Sequence, residues 1–117
     1  VNNGRPRFVG HNLIDFDLPF IFRRSAILGI KPHPIFPIMP SRYSDCVYDT
    51  MAAWAGFGGR IKLDALLTAL GFDGKGSIDG SKVYDYYADG RIDELCDYCA
   101  KDVDDTRKVW SKMTFQG

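Results

Sequence analysis

Four prolines within the ten residues from Lys31 to Pro40 constrain this 117-residue chain more than any other feature. Proline lacks a backbone N–H and disfavours helix in the residue before it, so this segment must be an extended or irregular connection. It separates a first segment, which ends near Gly29, from a second, which begins near Asp45. The length is that of one domain, and 45% of the residues are hydrophobic, so we expect a single folded globule.

Short apolar runs and turn residues predict the elements on either side of this connection. Arg7–Asn12 is apolar at its centre and ends in Gly and Asn, which is typical of a short strand. A helix capped by Asp17 and stopped by Gly29 should follow. Asp45–Thr50 reads as a second strand, and Met51–Trp54 as the start of a helical turn.

The second half of the chain is predicted to be helical. Leucines at helical spacing predict a helix that ends at Gly71, and a second helix should run from Ser81 through about Tyr87. A long helix is expected from about Ile92 to Met113. Its predicted buried face consists of Ile92, Leu95, Cys99, Thr106, Val109 and Met113, with Asp102 and Val103 beside the centre. The fold class is therefore a helix-rich α/β domain with about two short strands and four to five helices.

The net charge of +0 excludes a strongly basic nucleic-acid-binding protein but not a local binding site. Residues 1–62 carry a charge of +4 and residues 63–117 a charge of −4. This division is typical of two solvated surfaces of opposite sign. Alternatively, an anionic substrate lies on the basic half while the acidic half supplies carboxylates for metal ions.

The three cysteines and the absence of a long apolar run bear on the compartment. An odd number of cysteines does not make a disulfide framework, which favours a reducing, cytoplasmic setting. No apolar run approaches the roughly 20 residues that a membrane span requires. The first residues also lack the pattern of a secretory signal.

Two groups of residues, far apart in sequence, carry candidate chemistry. Asp17 lies between a predicted strand and a predicted helix, five residues after Asn12, where it is either a helix cap or a ligand at the end of the strand. Tyr98 and Asp102 are four residues apart and share a helix face. A carboxylate on an apolar face needs a cation or hydrogen bonds, so this pair is either a satisfied hydrogen-bonded pair or part of a metal site.

Taken together, these segments resemble the motifs of a known enzyme family. Asn12-x-x-x-Phe16-Asp17-x-Pro19 and Tyr98-x-x-x-Asp102 resemble the second and third motifs of the DEDDy 3′→5′ exonucleases, which belong to the ribonuclease H-like superfamily. The residues from Gly74 to Arg91 are similar to the predicted 3′→5′ exonuclease related to the exonuclease domain of family B DNA polymerases. The resemblance extends from Phe8 to about Met113 and implies a ribonuclease H-like exonuclease fold.

The resemblance implies two-metal hydrolysis of phosphodiester bonds at the 3′ end of single-stranded DNA or RNA. Hard oxygen ligands suit Mg²⁺ or Mn²⁺. By the resemblance, Asp17 and Asp102 bind metal, and Tyr98 orients the attacking water. The expected substrate contacts are Asn12 and Phe16 at the terminal nucleotide, with Lys75 near a phosphate.

The first motif of the family, Asp-x-Glu, is missing. The single Glu of the chain is Glu94, which follows Ile92 by two residues and lies beside the third motif. Residues 1–117 are therefore expected to form one partial exonuclease domain. Either the chain is the C-terminal part of a longer exonuclease, or it is a truncated relative that does not cleave. The first is favoured, partly because the sequence begins with Val1.

An incomplete set of carboxylates predicts a chain that is weakly active or inactive alone. A truncated sheet also has an unpaired edge, so we expect self-association that covers it. The alternative function is a non-catalytic nucleic-acid-binding or assembly subunit, and a third possibility is a helical interaction domain that matches the motifs by chance. The sequence does not distinguish DNA from RNA, nor does it indicate the pathway.

Overall fold

The computed structural model describes residues 6–37, 45–56, 58–74 and 80–116 of the chain. Its residues divide into two compact units, Val1–Arg60 and Ile61–Gly117, which are described separately below. The expectation of a single partial domain over 1–117 stays a prediction.

The first unit is organised around two short parallel strands. Strand β1 (Phe8–Gly10) pairs with β2 (Val47–Asp49), with Phe8 opposite Val47 and Gly10 opposite Asp49. Parallel strands need a long crossover, which here includes helix α1 (Leu18–Leu28). After α1, the proline-rich segment contains neither helix nor strand as far as Pro37, as predicted, whereas Pro40 lies outside the described residues.

The chain passes from β1 into α1 through a π-helical turn, Leu13–Asp17. Asp17 itself has helical backbone angles, and its side chain makes no capping hydrogen bond. The prediction that Asp17 caps the helix is therefore wrong, because the π-helical turn continues directly into α1 and leaves no helix start at that residue. Gly29 ends α1 with a positive φ of 69°, as predicted for a C-terminal glycine.

The carboxylate of Asp49 joins the strands to the turn that follows β1. Asp49 is buried at the end of β2 and caps helix α2 (Thr50–Ala55) by accepting hydrogen bonds from Met51 N and Ala52 N. The same carboxylate accepts the backbone N–H groups of Asn12 at 2.9 Å and Ile14 at 3.0 Å. One buried side chain thus satisfies four backbone donors from two segments that are more than thirty residues apart.

The described part of the second unit contains three α-helices. These are α3 (Leu63–Ala69), α4 (Val83–Ala88), which follows a 3₁₀ turn at Gly80–Lys82, and α5 (Ile92–Met113). Leu66 and Leu67 of α3 pack against Val109 of α5, and all three are fully buried. Ile61, Leu63, Leu70, Phe72 and Met113 surround this core.

The predicted buried face of α5 is correct only in the C-terminal half of the helix. Val109 is fully buried and Met113 packs beside it, but Ile92, Cys99 and Val103 are exposed. The fully buried core of this unit is small and involves α5 only near Val109, so the first half of α5 keeps much of its apolar surface in water. Asp105, which no apolar pattern indicates, is buried next to Lys101, whose Nζ lies 2.6 Å from the carboxylate.

Within the described residues the fold is a helix-rich α/β arrangement of five α-helices and two short parallel strands. This confirms the fold class expected from the sequence. No helix among these residues is long and apolar enough to cross a membrane.

Two valines of α5 test the position of the core. Val109 is 0% exposed and Val103 is 62% exposed. We expect Val109→Ala to lower the free energy of unfolding by about 2 kcal/mol, because it removes buried methyl groups and leaves a cavity. Val103→Ala, the same substitution on the same helix, should change it by less than about 0.5 kcal/mol. Urea unfolding measures both, and equal losses would contradict this core.

Asp49→Ala should destabilise the chain by about 3 kcal/mol, because it leaves the backbone donors of two segments without their charged acceptor. Asp49→Asn, which retains one carbonyl oxygen, should lower the free energy of unfolding by less. Asp45→Ala, at an exposed position before the same strand, is the matched control and should be nearly neutral. Urea unfolding measures the losses, and hydrogen exchange at the Asn12 and Ile14 amides should accelerate in Asp49→Ala alone. Unchanged exchange in that variant would contradict the proposed cross-link.

Candidate functional site

In the first unit, the candidate residues lie on the segment between β1 and α1. Asn12 has a left-handed backbone (φ 63°), which asparagine tolerates better than most residues. In the π-helical turn that follows, Leu18 N–H reaches the carbonyl of Leu13, five residues back. Such turns insert one extra residue and occur frequently at functional sites. Asn12, Phe16 and Asp17 are therefore held on one short, irregular segment.

Asp49 fixes the start of this segment through its hydrogen bonds to Asn12 N and Ile14 N. A second connection lies beside it, where His11 Nδ1 and Thr50 Oγ1 are 2.8 Å apart. Thr50 also donates to the carbonyl of Gly10 over 3.3 Å. The backbone that carries the candidate residues is thus tied to the end of β2 at several points.

The three candidate side chains have different environments. The Oδ1 atom of Asn12 is buried, and no donor from the described residues reaches it. Phe16 is 59% exposed, and its ring stacks on Phe20 with the centroids 6.1 Å apart and an interplanar angle of 22°. Burial, and next the negative charge of Asp49, raise the pKa of Asp17 above its usual value. The first unit therefore carries an amide oxygen that has no hydrogen-bond donor among the described residues, an exposed aromatic ring, and a carboxylate whose ionised form is destabilised.

In the second unit, Asp102 lies on α5 four residues after Tyr98. Its Oδ1 atom is buried, and within the described part of the chain it has no hydrogen-bond donor. Burial, followed by the charges of Asp105 and Asp64, raises the pKa of the Asp102 carboxyl, and Lys101 opposes the effect. Lys101 pairs instead with Asp105. Asp102 is thus a partly buried carboxylate with one oxygen that no described residue satisfies.

Tyr98 lies beside residues from α4 and from the start of α5. The Tyr86 ring contacts it edge to face with centroids 5.9 Å apart, and the Arg91 guanidinium lies 3.9 Å from the Tyr86 ring centroid. The hydrogen bond with Tyr86 raises the pKa of the Tyr98 phenol. Arg91 also forms an ion pair with Glu94. The single glutamate of the chain is thus engaged in a local ion pair at the start of α5.

The candidate residues therefore form one group in each unit: Asn12, Phe16 and Asp17 in the first, and Tyr98 and Asp102 in the second. Lys75 lies outside the described residues. Among the residues that the structure does describe, there is no cluster of three or more His, Cys, Asp or Glu side chains that could hold a metal ion. Carboxylate and amide oxygens of the kind present in the two groups are hard ligands that suit Mg²⁺ or Mn²⁺.

Sequence reasoning missed three residues that shape these groups. Asp49 was assigned only to a strand, although an aspartate before a threonine at a strand-to-helix junction is a signal for an N-terminal cap. Tyr86 contacts the Tyr98 ring edge to face, and Arg91 lies over the Tyr86 ring. No periodicity signals their contact, because it depends on how α4 packs against α5.

Comparison with known proteins identifies a family. The family model described as "Predicted 3'-5' exonuclease related to the exonuclease domain of PolB" matches residues 1–117. No curated protein matches the chain, and no solved structure does. Because the family model covers the whole sequence, this chain belongs to the family of predicted 3′-5′ exonucleases related to the exonuclease domain of PolB.

Proposed function

We propose that this chain carries the second and third motifs of a DEDDy-type 3′→5′ exonuclease, which hydrolyses phosphodiester bonds at nucleic-acid 3′ ends by a two-metal mechanism. Family membership over residues 1–117 supports the exonuclease assignment. The observation that carries the mechanism is the Oδ1 atom of Asp102, buried and without a donor among the described residues. Leaving a buried charged oxygen unsatisfied is costly, and a bound cation is the ligand that removes the cost.

Asp102 and Asp17 are the residues that would hold Mg²⁺ or Mn²⁺. Both have a raised pKa that is caused first by burial, so the ionised forms of both gain from a nearby cation. When bound, the metal ions supply stabilisation of negative charge on the attacking and leaving oxygens. These two carboxylates form an incomplete set, since the chain contains no Asp-x-Glu sequence.

In this proposal Tyr98 positions the attacking water and does not remove its proton. The contact with Tyr86 raises the pKa of Tyr98, so the phenol stays protonated at neutral pH. A neutral phenol can hold a water by a hydrogen bond, but it is a poor proton acceptor. Asn12 would bind the terminal nucleotide through its amide, whose oxygen needs a donor. Phe16 would stack on the terminal base with its exposed ring.

The partner in this proposal is the 3′ end of single-stranded DNA or RNA. Because two of the family's four carboxylates are absent, we expect this chain to be weakly active or inactive alone. Self-association at the edge of the two-stranded sheet remains part of the proposal, because unpaired backbone N–H and C=O groups at a sheet edge can pair with another chain. The alternative is a non-catalytic nucleic-acid-binding or assembly subunit derived from the exonuclease fold, which the lack of an Asp-x-Glu sequence in this chain would suit.

Asp102→Asn should abolish binding of Mn²⁺ and raise the melting temperature at pH 7. The pKa of Asp102 is raised in the folded state, so protonation favours folding. This contribution of protonation to the free energy of unfolding is complete at a pH below the unfolded-state pKa, near 3.8. It is lost as the pH rises through the folded-state pKa. The increase in melting temperature caused by Asp102→Asn should therefore become smaller as the pH falls from 7 towards 4.

The matched control is Asp104→Asn on the same helix, where the carboxylate is exposed and lies 3.4 Å from Lys108. It should retain Mn²⁺ binding and leave the melting temperature nearly unchanged. Calorimetric titration with Mn²⁺ and thermal unfolding between pH 4 and pH 7 measure both properties. Undiminished Mn²⁺ binding by Asp102→Asn would argue against the metal assignment.

Exonuclease activity should be visible as slow shortening, from the 3′ end, of a 5′-labelled single-stranded oligonucleotide with Mg²⁺ or Mn²⁺. Tyr98→Phe should lower the rate about 100-fold, because the water is no longer positioned, and Asp102→Ala should abolish it. Tyr84→Phe, on the exposed surface of α4, is the control. Full activity in Asp102→Ala would refute the assignment, and no activity with any strand would favour the non-catalytic subunit. Rapid cleavage by the unmodified chain would contradict the incomplete site.

A further inference from the structure

We propose that the outward face of helix α1 binds the single strand that leads up to the 3′ end. This face and Phe16, which lies in the π-helical turn before the helix, are together called the α1 surface: Phe16, Phe20, Arg23, Arg24 and Ile27. The inference rests on the proposed function and extends it, because it assigns the strand beyond the terminal nucleotide to a surface that the catalytic motifs do not include.

The helical geometry places these residues on one side of α1. From Phe20 the positions i+3, i+4 and i+7 are Arg23, Arg24 and Ile27, which share a face. Leu18, the buried residue of α1, precedes Phe20 by two positions and so points to roughly the opposite side of the helix. The α1 surface is therefore the side of the helix that faces away from the packing of its own unit.

Two stacked aromatic rings form the first part of this surface. The rings of Phe16 and Phe20 lie nearly parallel, and the two residues are 59% and 55% exposed. Exposed rings of this kind stack on bases of any sequence, which suits an enzyme that must follow a strand as it shortens. If Phe16 contacts the terminal base, Phe20 is placed one helical turn further along α1 to contact the preceding part of the strand.

The charge of α1 specifies the type of partner. Arg23 and Arg24 are exposed, and neither forms an ion pair with any described residue. The helix contains no Asp or Glu. Two arginines next to exposed rings match the phosphates and bases of a single strand. A symmetric contact between two copies would instead bring the arginines of both copies towards each other, which is unfavourable.

The test is fluorescence anisotropy of a labelled oligothymidylate in EDTA, where hydrolysis cannot interfere. Phe20→Ala should weaken binding about 10-fold, through the loss of one stacking contact. The double variant Arg23→Gln and Arg24→Gln should weaken binding and reduce the dependence of log K on log salt by about 1.4, the value for two phosphate contacts on a single strand.

Tyr84→Ala and Arg107→Gln are the matched controls, because both residues are exposed and lie on helices of the second unit. They should leave the affinity and the salt dependence unchanged, and circular dichroism verifies the folding of every variant. Three results would overturn the proposal. These are an affinity that the α1 variants do not alter, equal losses in the control variants, and a dimer that Phe20→Ala dissociates in sedimentation experiments.

The same assay separates this inference from the proposed function. Binding that depends on the α1 surface, without hydrolysis under any metal condition, would keep the surface and favour the non-catalytic subunit. Hydrolysis with binding that is indifferent to the α1 variants would keep the activity and reject the surface.

Discussion

The first unit depends on one buried carboxylate. Asp49 ends β2, caps α2 and accepts two N–H groups from the segment after β1, so it ties both strands to the turn that holds Asn12, Phe16 and Asp17. Hydrogen bonds to a charged acceptor are stronger than neutral ones, and a buried charge without them would be unfavourable. The interaction that stabilises this small sheet is thus the same one that positions the candidate nucleotide-binding residues. Its negative charge also opposes ionisation of Asp17, which a cation would reverse.

The second unit contains a carboxylate that, unlike that of Asp49, has a buried oxygen without a hydrogen-bond donor among the described residues. Asp105, three residues after Asp102, is buried but has Lys101 as a partner, whereas Asp102 retains a buried oxygen with no donor among the described residues. The same helix therefore carries one aspartate that pairs with a neighbouring lysine and one with an oxygen that the described residues leave without a donor. An unsatisfied group of this kind is a cost to stability, and proteins keep such costs at sites where a ligand removes them. This contrast, together with membership of the exonuclease family, is the basis for proposing Asp102 as a metal ligand.

Much of the fold can be predicted from the sequence because the sequence signals for these elements are local. Pro and Gly end elements through their own backbone restrictions, so α1 ends at Gly29 and the proline-rich segment is irregular as far as Pro37, as predicted. The bounds of α5 agree with its predicted limits of Ile92 and Met113. The motif residues Tyr98 and Asp102 share a face because four residues span about one helical turn. Each of these outcomes depends on a few consecutive residues and not on tertiary packing.

The sequence by itself determined the helix-rich α/β class, the approximate elements and the two motif groups with their family resemblance. Tertiary structure decided which residues of α5 are buried, since that depends on where α3 packs, near Val109. It also decided that Asp17 lies in a continuous helical segment and that Asp49 holds the turn before it. Local backbone preference is a property of a few consecutive residues, whereas burial and long-range hydrogen bonds exist only after distant segments have met. For that reason the motifs could be read from the sequence, but the residues that position them could not.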